Sequence, residues 1–67
     1  MITLTVNGQP HQLDPPVTAE TLIKHLGLEN KRLAMELNET IIPRSEYPQT
    51  PLKNGDQIEI IHAVGGG

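Results

Sequence analysis

ITLTVNGQPHQL, residues 2–13, consists of two short segments separated by Asn7-Gly8. In the first segment apolar and polar residues alternate at a period of two, which is typical of a strand with one buried face. An Asn-Gly pair tolerates the positive φ angles of a two-residue type I′ turn. Residues 2–13 therefore predict a β-hairpin, and Pro10, which cannot donate a ladder hydrogen bond, places its second strand at a sheet edge. The side chains predicted to point inward from the first strand are Ile2, Leu4 and Val6.

Residues 17–28 follow the break Asp14-Pro15-Pro16 and carry the signals of an amphipathic helix. Thr18 suits the N-cap, where its hydroxyl can accept a hydrogen bond from a free backbone N–H group. Gly27 can adopt the left-handed conformation that ends a helix. The pattern therefore predicts one helix over 17–28 that packs on a sheet through an apolar stripe of Leu22, Ile23 and Leu26.

The second half of the chain predicts three more strands. Residues 33–37 alternate again, 41–42 form a short apolar run that ends at Pro43, and 57–64 form the longest strand. Turns are expected at 38–40 and at 54–56. Residues 44–53 show no clear period, so we expect an irregular segment that Tyr47 and Leu52 attach to the core.

The predicted order is strand, strand, helix, strand, short strand, strand. A hairpin, one helix and a return to the sheet predict an α+β fold of the ubiquitin-like β-grasp type, a mixed β-sheet covered on one face by a single helix. The last strand is expected beside the first. We predict a single β-grasp domain over 1–64 and a flexible C-terminal glycine tail over 65–67.

Size and composition exclude several functions. A chain of 67 residues needs its core for stability, which leaves little room for an enclosed catalytic pocket. Its net charge of −3 and single aromatic residue speak against nucleic-acid binding. There is no apolar run long enough to span a bilayer and no cysteine, so we expect a cytoplasmic protein that is a monomer when free.

Three segments resemble the ThiS family of thiamine-pathway sulfur carriers, and together with the predicted fold the resemblance covers essentially the whole chain. The segments are NETIIPR at 38–44, LKNGDQIEI at 52–60 and VGGG at 64–67. The strongest signal is the glycine tail that directly follows the last predicted strand. Glu39 departs from the glycine that this family often has after the asparagine.

The resemblance implies a carrier that is not itself an enzyme and binds no cofactor. A ThiF-like partner resembling ubiquitin-activating enzymes would use ATP to adenylate the carboxylate of Gly67, and a sulfur donor would convert the adenylate to a thiocarboxylate. A ThiG-like thiazole synthase would then take the sulfur. Gly65 and Gly66 would enter the partner's channel, because glycine passes a narrow channel without a side chain.

Partner docking is predicted on the sheet face away from the helix. The predicted docking residues are Glu59, Ile61 and Ala63 on that face, together with Val64, which shares the other face with Ile58 and Ile60. Glu36 shares that exposed face and could meet a basic partner. Arg44 is expected to be a solvated surface residue, with an ion pair at an interface as the alternative.

Other functions remain open from the residues alone. A related carrier could serve molybdopterin synthesis, as the MoaD subunit does, or tRNA thiolation, and a ubiquitin-like protein modifier or binding module would share the fold. Metal binding is not expected, because His11, His25 and His62 lack ligand spacing and no cysteine accompanies them. No nucleophile, paired carboxylates or phosphate loop indicates an enzyme.

Overall fold

The structure is a computed structural model and describes residues 1–62. The elements are β1 Ile2–Val6, β2 Gln9–Leu13, β3 Val17–Thr18, α1 Ala19–His25, β4 Leu33–Leu37, β5 Thr40–Ile42, a 3-10 helix Arg44–Gln49, β6 Pro51–Leu52 and β7 Gln57–His62. A five-stranded sheet has the order β2-β1-β7-β4-β5, and a separate two-stranded sheet pairs β3 with β6. Within the large sheet β1 and β7 run parallel, and every other neighbouring pair is antiparallel.

The N-terminal hairpin is confirmed in position, register and turn. Val6 faces Gln9 across the ladder, and Asn7 and Gly8 take φ angles of 49° and 82°. Two positive φ angles in a two-residue loop are the signature of a type I′ turn. Strand β2, which contains Pro10, lies at the edge of the sheet as predicted.

Helix α1 is shorter than the predicted segment 17–28. Val17 and Thr18 are extended and pair with β6, a pairing that the sequence did not predict, and the helix begins at Ala19. Thr18 is the N-cap as predicted, and its hydroxyl accepts a hydrogen bond from the Thr21 backbone N–H at 3.2 Å. The reciprocal bond runs from the Thr18 N–H to the Thr21 hydroxyl at 2.7 Å, which completes a capping box.

Gly27 ends the helix in the predicted conformation, with a φ angle of 72°. Its N–H donates to the Lys24 carbonyl, and the Leu28 N–H donates to the Ile23 carbonyl, both at 3.0 Å. These two bonds form a Schellman motif, which satisfies carbonyl groups that the end of a helix leaves free. The last helical residue is His25 and Leu26 is the C-cap, so the helix ends where the predicted Gly27 signal places it.

Residues 44–52 are more ordered than predicted. They form the 3-10 helix and β6 rather than an irregular segment, because Pro43 and Pro48 fix φ angles that a short helical turn accepts while β3 supplies a partner for β6. Tyr47 and Leu52 are buried in the core, as predicted. Burial raises the pKa of Tyr47, and the Arg44 cation and hydrogen bonding to the Met35 backbone oppose that rise.

The core lies between the large sheet and the layer formed by α1 and the 3-10 helix. Its buried apolar residues are Leu4, Val6, Val17, Ala19, Leu22, Ile23, Met35, Tyr47, Leu52, Ile58 and Ile60. The predicted inward residues Leu4 and Val6 are buried, whereas Ile2 is only half-buried. A mixed sheet covered on one face by the only α-helix of residues 1–62 confirms the predicted α+β, β-grasp arrangement.

Candidate functional site

Strand β7 leads to the glycine tail and is the central strand of the five. It lies between β1, which pairs with it in parallel, and β4, which pairs with it over Leu33 to Leu37. Ile58 and Ile60 point into the core and are 1% and 5% exposed. The end of β7 at His62 is therefore a fixed point from which residues 63–67 continue.

Several predicted site residues lie outside the described part of the chain. These are Ala63, Val64, Gly65, Gly66 and Gly67, and the predicted domain boundary after residue 64 lies there too. The predicted docking residues that the structure does place are Glu59 and Ile61, both exposed on the outer face of β7. Their placement agrees with the face that the sequence pattern assigned to them.

The outer face of the sheet carries two exposed isoleucines around a pair of carboxylates. Ile41 on β5 is 67% exposed and Ile61 is 55% exposed. Glu36 on β4 stands opposite Ile41 on one side and opposite Glu59 on the other. Like charges directly opposite each other across a ladder destabilise a sheet, so this pair does not serve the fold. The sequence indicated that both glutamates were exposed but not that they face each other.

Asn7 extends the pairing of β7 with β1 beyond the last backbone ladder pair. Its side-chain Oδ1 accepts from the Ile60 N–H at 2.8 Å, and its Nδ2 donates to the Ile60 carbonyl at 3.2 Å. The Asn7 N–H adds a bond to the Ile58 carbonyl at 2.9 Å. The carboxamide thus takes the place of a β1 peptide group beyond the end of that strand. It holds β7 close to the point where the strand leads into residue 63.

Asn38 holds the start of β7 from the opposite side. Its Oδ1 accepts from the Gln57 N–H at 2.9 Å, and its own N–H donates to the Gln57 carbonyl at 2.8 Å. Its Nδ2 donates to the carboxylate of Asp56 at 3.1 Å, and the Lys53 N–H donates to the other oxygen of that carboxylate at 2.9 Å. Asp56 is 4% exposed, and these bonds compensate for its burial.

Sequence reasoning identified Asn7 and Asn38 only as turn residues and missed their contacts with β7. A local signal was present, because an asparagine at the tip of each hairpin has a side chain that can imitate a peptide group. Which strand that side chain meets depends on the order of the sheet, and the chain alone does not state that order.

Arg44 is exposed, as expected of a solvated surface residue, and its guanidinium also makes two hydrogen bonds within the domain. Its Nη1 donates to the Lys31 carbonyl at 3.0 Å and its Nη2 to the Glu29 carbonyl at 2.9 Å. The guanidinium therefore attaches the loop after α1 to the start of the 3-10 helix. The planar guanidinium presents its N–H groups in a fixed arrangement, which suits two carbonyl groups of the same loop.

A groove of about 320 Å³ lies at the end of the sheet where β4 begins and β7 ends. We call it the end groove, and its lining residues are Arg32, Leu33, Ala34, Arg44, Ile61 and His62. Leu33 and His62 are opposite each other in the ladder, so the groove lies beside the last described residue before the tail. It joins basic and apolar side chains in one open surface.

A smaller cavity of about 240 Å³ lies between α1 and the 3-10 helix, and Arg44 lines both this cavity and the end groove. It is below the ~300 Å³ that small-molecule pockets usually reach. Among residues 1–62 there is no group of three histidine, aspartate or glutamate side chains that could hold a metal ion. The described helices are also too short and too polar to cross a membrane.

Comparison with known proteins agrees with this arrangement. The model of the ThiS family matches residues 4–67. The sulfur carrier protein ThiS of Thermus thermophilus is 36% identical over 62 residues, which cover 92% of this chain and 95% of that protein. The crystal structure of the thiamine biosynthesis protein ThiS from Geobacter metallireducens superposes with a TM-score of 0.83 at 30% identity, over 98% of this chain and 100% of that one.

A further relative is much longer than this chain. The thiazole synthase of Paramagnetospirillum magneticum is 36% identical over 64 residues, which are 96% of this chain but only 20% of that protein. The chain thus spans about a fifth of the length of this relative. Because the family model matches residues 4–67 and the fold is shared, the chain belongs to the ThiS family of ubiquitin-like sulfur carriers in thiamine biosynthesis.

Proposed function

We propose that this chain carries sulfur for thiazole formation as a thiocarboxylate on the carboxyl group of Gly67. The observation that carries the proposal is the position of β7, which is central in the sheet and bonded by Asn7 and Asn38 on its two sides. A rigid body that ends in a glycine segment can deliver its carboxyl group into another protein's active site. Membership of a sulfur-carrier family supports assigning this chemistry to that carboxyl group.

The chemistry starts from a carboxylate, which is a poor electrophile. A partner resembling ubiquitin-activating enzymes joins the Gly67 carboxylate to the AMP part of ATP and releases pyrophosphate. A sulfide-level donor then attacks the acyl carbon through its sulfur, the bond between the acyl carbon and AMP breaks and AMP leaves, and loss of the proton on sulfur gives the thiocarboxylate. In this scheme ATP belongs to the partner, and the chain is a co-substrate that supplies no catalytic residue.

Thiazole synthase is the proposed acceptor of the sulfur. The long relative named thiazole synthase contains a ThiS-like segment of about a fifth of its length, which supports the view that carrier and synthase work together. The named relatives favour thiamine biosynthesis over the molybdopterin and tRNA alternatives. A cytoplasmic site of action stays a prediction.

The tail limits how far the partner can be from the body. Five residues, 63–67, span at most about 18 Å when extended. A partner that binds the Gly67 carboxyl group in its active site must therefore approach the end of β7, and we propose that it covers Glu59 and Ile61 on the outer face, together with Ala63 and Val64. Replacing the exposed Ile61 by Asp is then expected to weaken docking while leaving the core intact.

The proposed function is tested at the tail. In Gly66→Ala, or with one residue added after Gly67, we expect the fold to be retained and thiocarboxylate formation to be lost, because the narrow channel excludes a side chain and the reacting carboxyl group is displaced. The measurement is intact mass after incubation with the activating enzyme, ATP and a sulfur source. One residue added before the exposed Met1 is the matched control and should load normally. Normal loading of both tail variants would disprove the proposal.

A further inference from the structure

The end groove contains two arginines in a chain whose net charge is −3. Arg32 lies immediately before β4 and is exposed, and Arg44 enters from the 3-10 helix. Both arginines line the groove together with Ile61 and His62 at the end of β7. The carboxylates of Glu36 and Glu59 are on other rungs of the ladder, opposite each other, so the outer face has an acidic centre and a basic end.

Arg44 is held in place before any partner arrives. Two of its five N–H groups donate to the carbonyls of Lys31 and Glu29, and within residues 1–62 the other N–H groups donate to no side chain or carbonyl. A donor fixed in this way loses little conformational entropy on binding. Arg32, by contrast, is an exposed side chain whose guanidinium has freedom to adjust to an acceptor.

The position of the end groove links it to the tail. Leu33 and His62 form the outermost described ladder pair of β4 and β7, so the groove borders the point where residue 63 follows. An enzyme that accepts Gly67 within the ~18 Å reach of the tail must place the mouth of its channel next to this groove. The rim of that channel is then the surface that covers Arg32 and Arg44.

We propose that the end groove binds a carboxylate side chain on the rim of the enzyme that takes the tail, with thiazole synthase as the partner. This inference rests on the proposed function. Guanidinium groups pair with carboxylates through two parallel hydrogen bonds, which supplies the charge complementarity. The apolar neighbours Leu33, Ala34 and Ile61 match a protein surface around that carboxylate, whereas a free small anion would gain nothing from them.

The test uses the full chain and the thiazole synthase of the same organism, with titration calorimetry as the measurement. Arg32→Glu should raise Kd about tenfold or more and flatten its dependence on salt, because a repelling charge replaces an attracting one at the interface. Arg32→Lys keeps the charge but cannot form the two parallel hydrogen bonds, so it should raise Kd by less than Arg32→Glu does and keep the salt dependence of the wild type. The matched control is Lys31→Glu, which makes the same change in net charge at the neighbouring exposed residue outside the groove.

The possible outcomes distinguish a failure of the groove inference from a failure of the proposed function. If Arg32→Glu and Lys31→Glu weaken binding equally while both retain the wild-type melting temperature, the groove inference is wrong and the proposed function stands. If Arg32→Glu changes the oligomeric state seen by size-exclusion chromatography and leaves Kd unchanged, a second copy occupies the groove and the inference is also wrong. A wild-type chain that neither binds the synthase nor becomes loaded with sulfur would overturn the proposed function itself.

Discussion

The hairpins β1–β2 and β4–β5 flank β7 from opposite sides and turn in the same way. Each has an asparagine with a φ angle near 50° at the first turn position, and each asparagine side chain bonds to β7. The first hairpin continues with Gly8 and holds Ile60 near the tail, whereas the second continues with Glu39 and holds Gln57 beside the buried Asp56. The turn at Asn7 therefore positions the end of the strand that leads to the tail, whereas the turn at Asn38 stabilises the body of the domain.

The largest expected effect is that of Asn38→Gly. Glycine keeps the left-handed turn, but the variant loses the bond from the Gln57 N–H and removes the amide donor from the buried Asp56 carboxylate. Depriving a buried charge of a partner costs more than losing a neutral bond, so we expect about 2–3 kcal/mol less stability. Urea unfolding measures this. A loss no larger than that of Asn7→Gly would contradict the assigned difference between the two hairpins.

Asn7→Gly is expected to cost about 1–2 kcal/mol, because two neutral hydrogen bonds to Ile60 are lost and no buried charge is left without a partner. The sharper measurement is amide hydrogen exchange. The Ile60 amide should exchange faster relative to the Gln57 amide, and Asn38→Gly should reverse that preference. Uniform acceleration of both amides in both variants would show that neither asparagine acts locally.

The smallest expected effect is a gain in stability from Glu39→Gly. Glu39 has a φ angle of 72°, a conformation that costs a residue with a side chain about 1–2 kcal/mol. Glycine removes that cost but loses more backbone entropy on folding, so the net gain is about 0.5–1 kcal/mol. Gly8→Glu is the reciprocal control and should lose stability at a φ angle of 82°. Thermal unfolding of the two variants in opposite directions would support the comparison, and no gain for Glu39→Gly would break it.

Local patterns predicted most of the elements, and the errors have a common cause. The Asn7-Gly8 turn, the Thr18 cap and the Gly27 end were correct because each depends on residues close in sequence. The short strand β3 was missed because Val17 and Thr18 pair with a strand more than thirty residues away. The hydrogen bonds of Arg44 were missed for the same reason, since its acceptors lie in the loop that follows α1.

Some features of the candidate site could be predicted from the sequence and others could not, for the same physical reason. The glycine tail and the exposed alternation of Glu59 and Ile61 were visible in the sequence, because they need only the period of one strand. The end groove was not, because Arg32, Arg44 and His62 belong to three segments that meet only when β4 pairs with β7.

The hairpin turns, the alternation of buried and exposed residues and the family resemblance could all be read from the amino-acid sequence. Which side chains hold the central strand, and which charges face one another, depends on how the strands assemble into the sheet. The physical reason is range: turn and cap preferences act over a few residues, whereas the bonds of Asn7 and Asn38 to β7 join residues 53 and 19 positions apart.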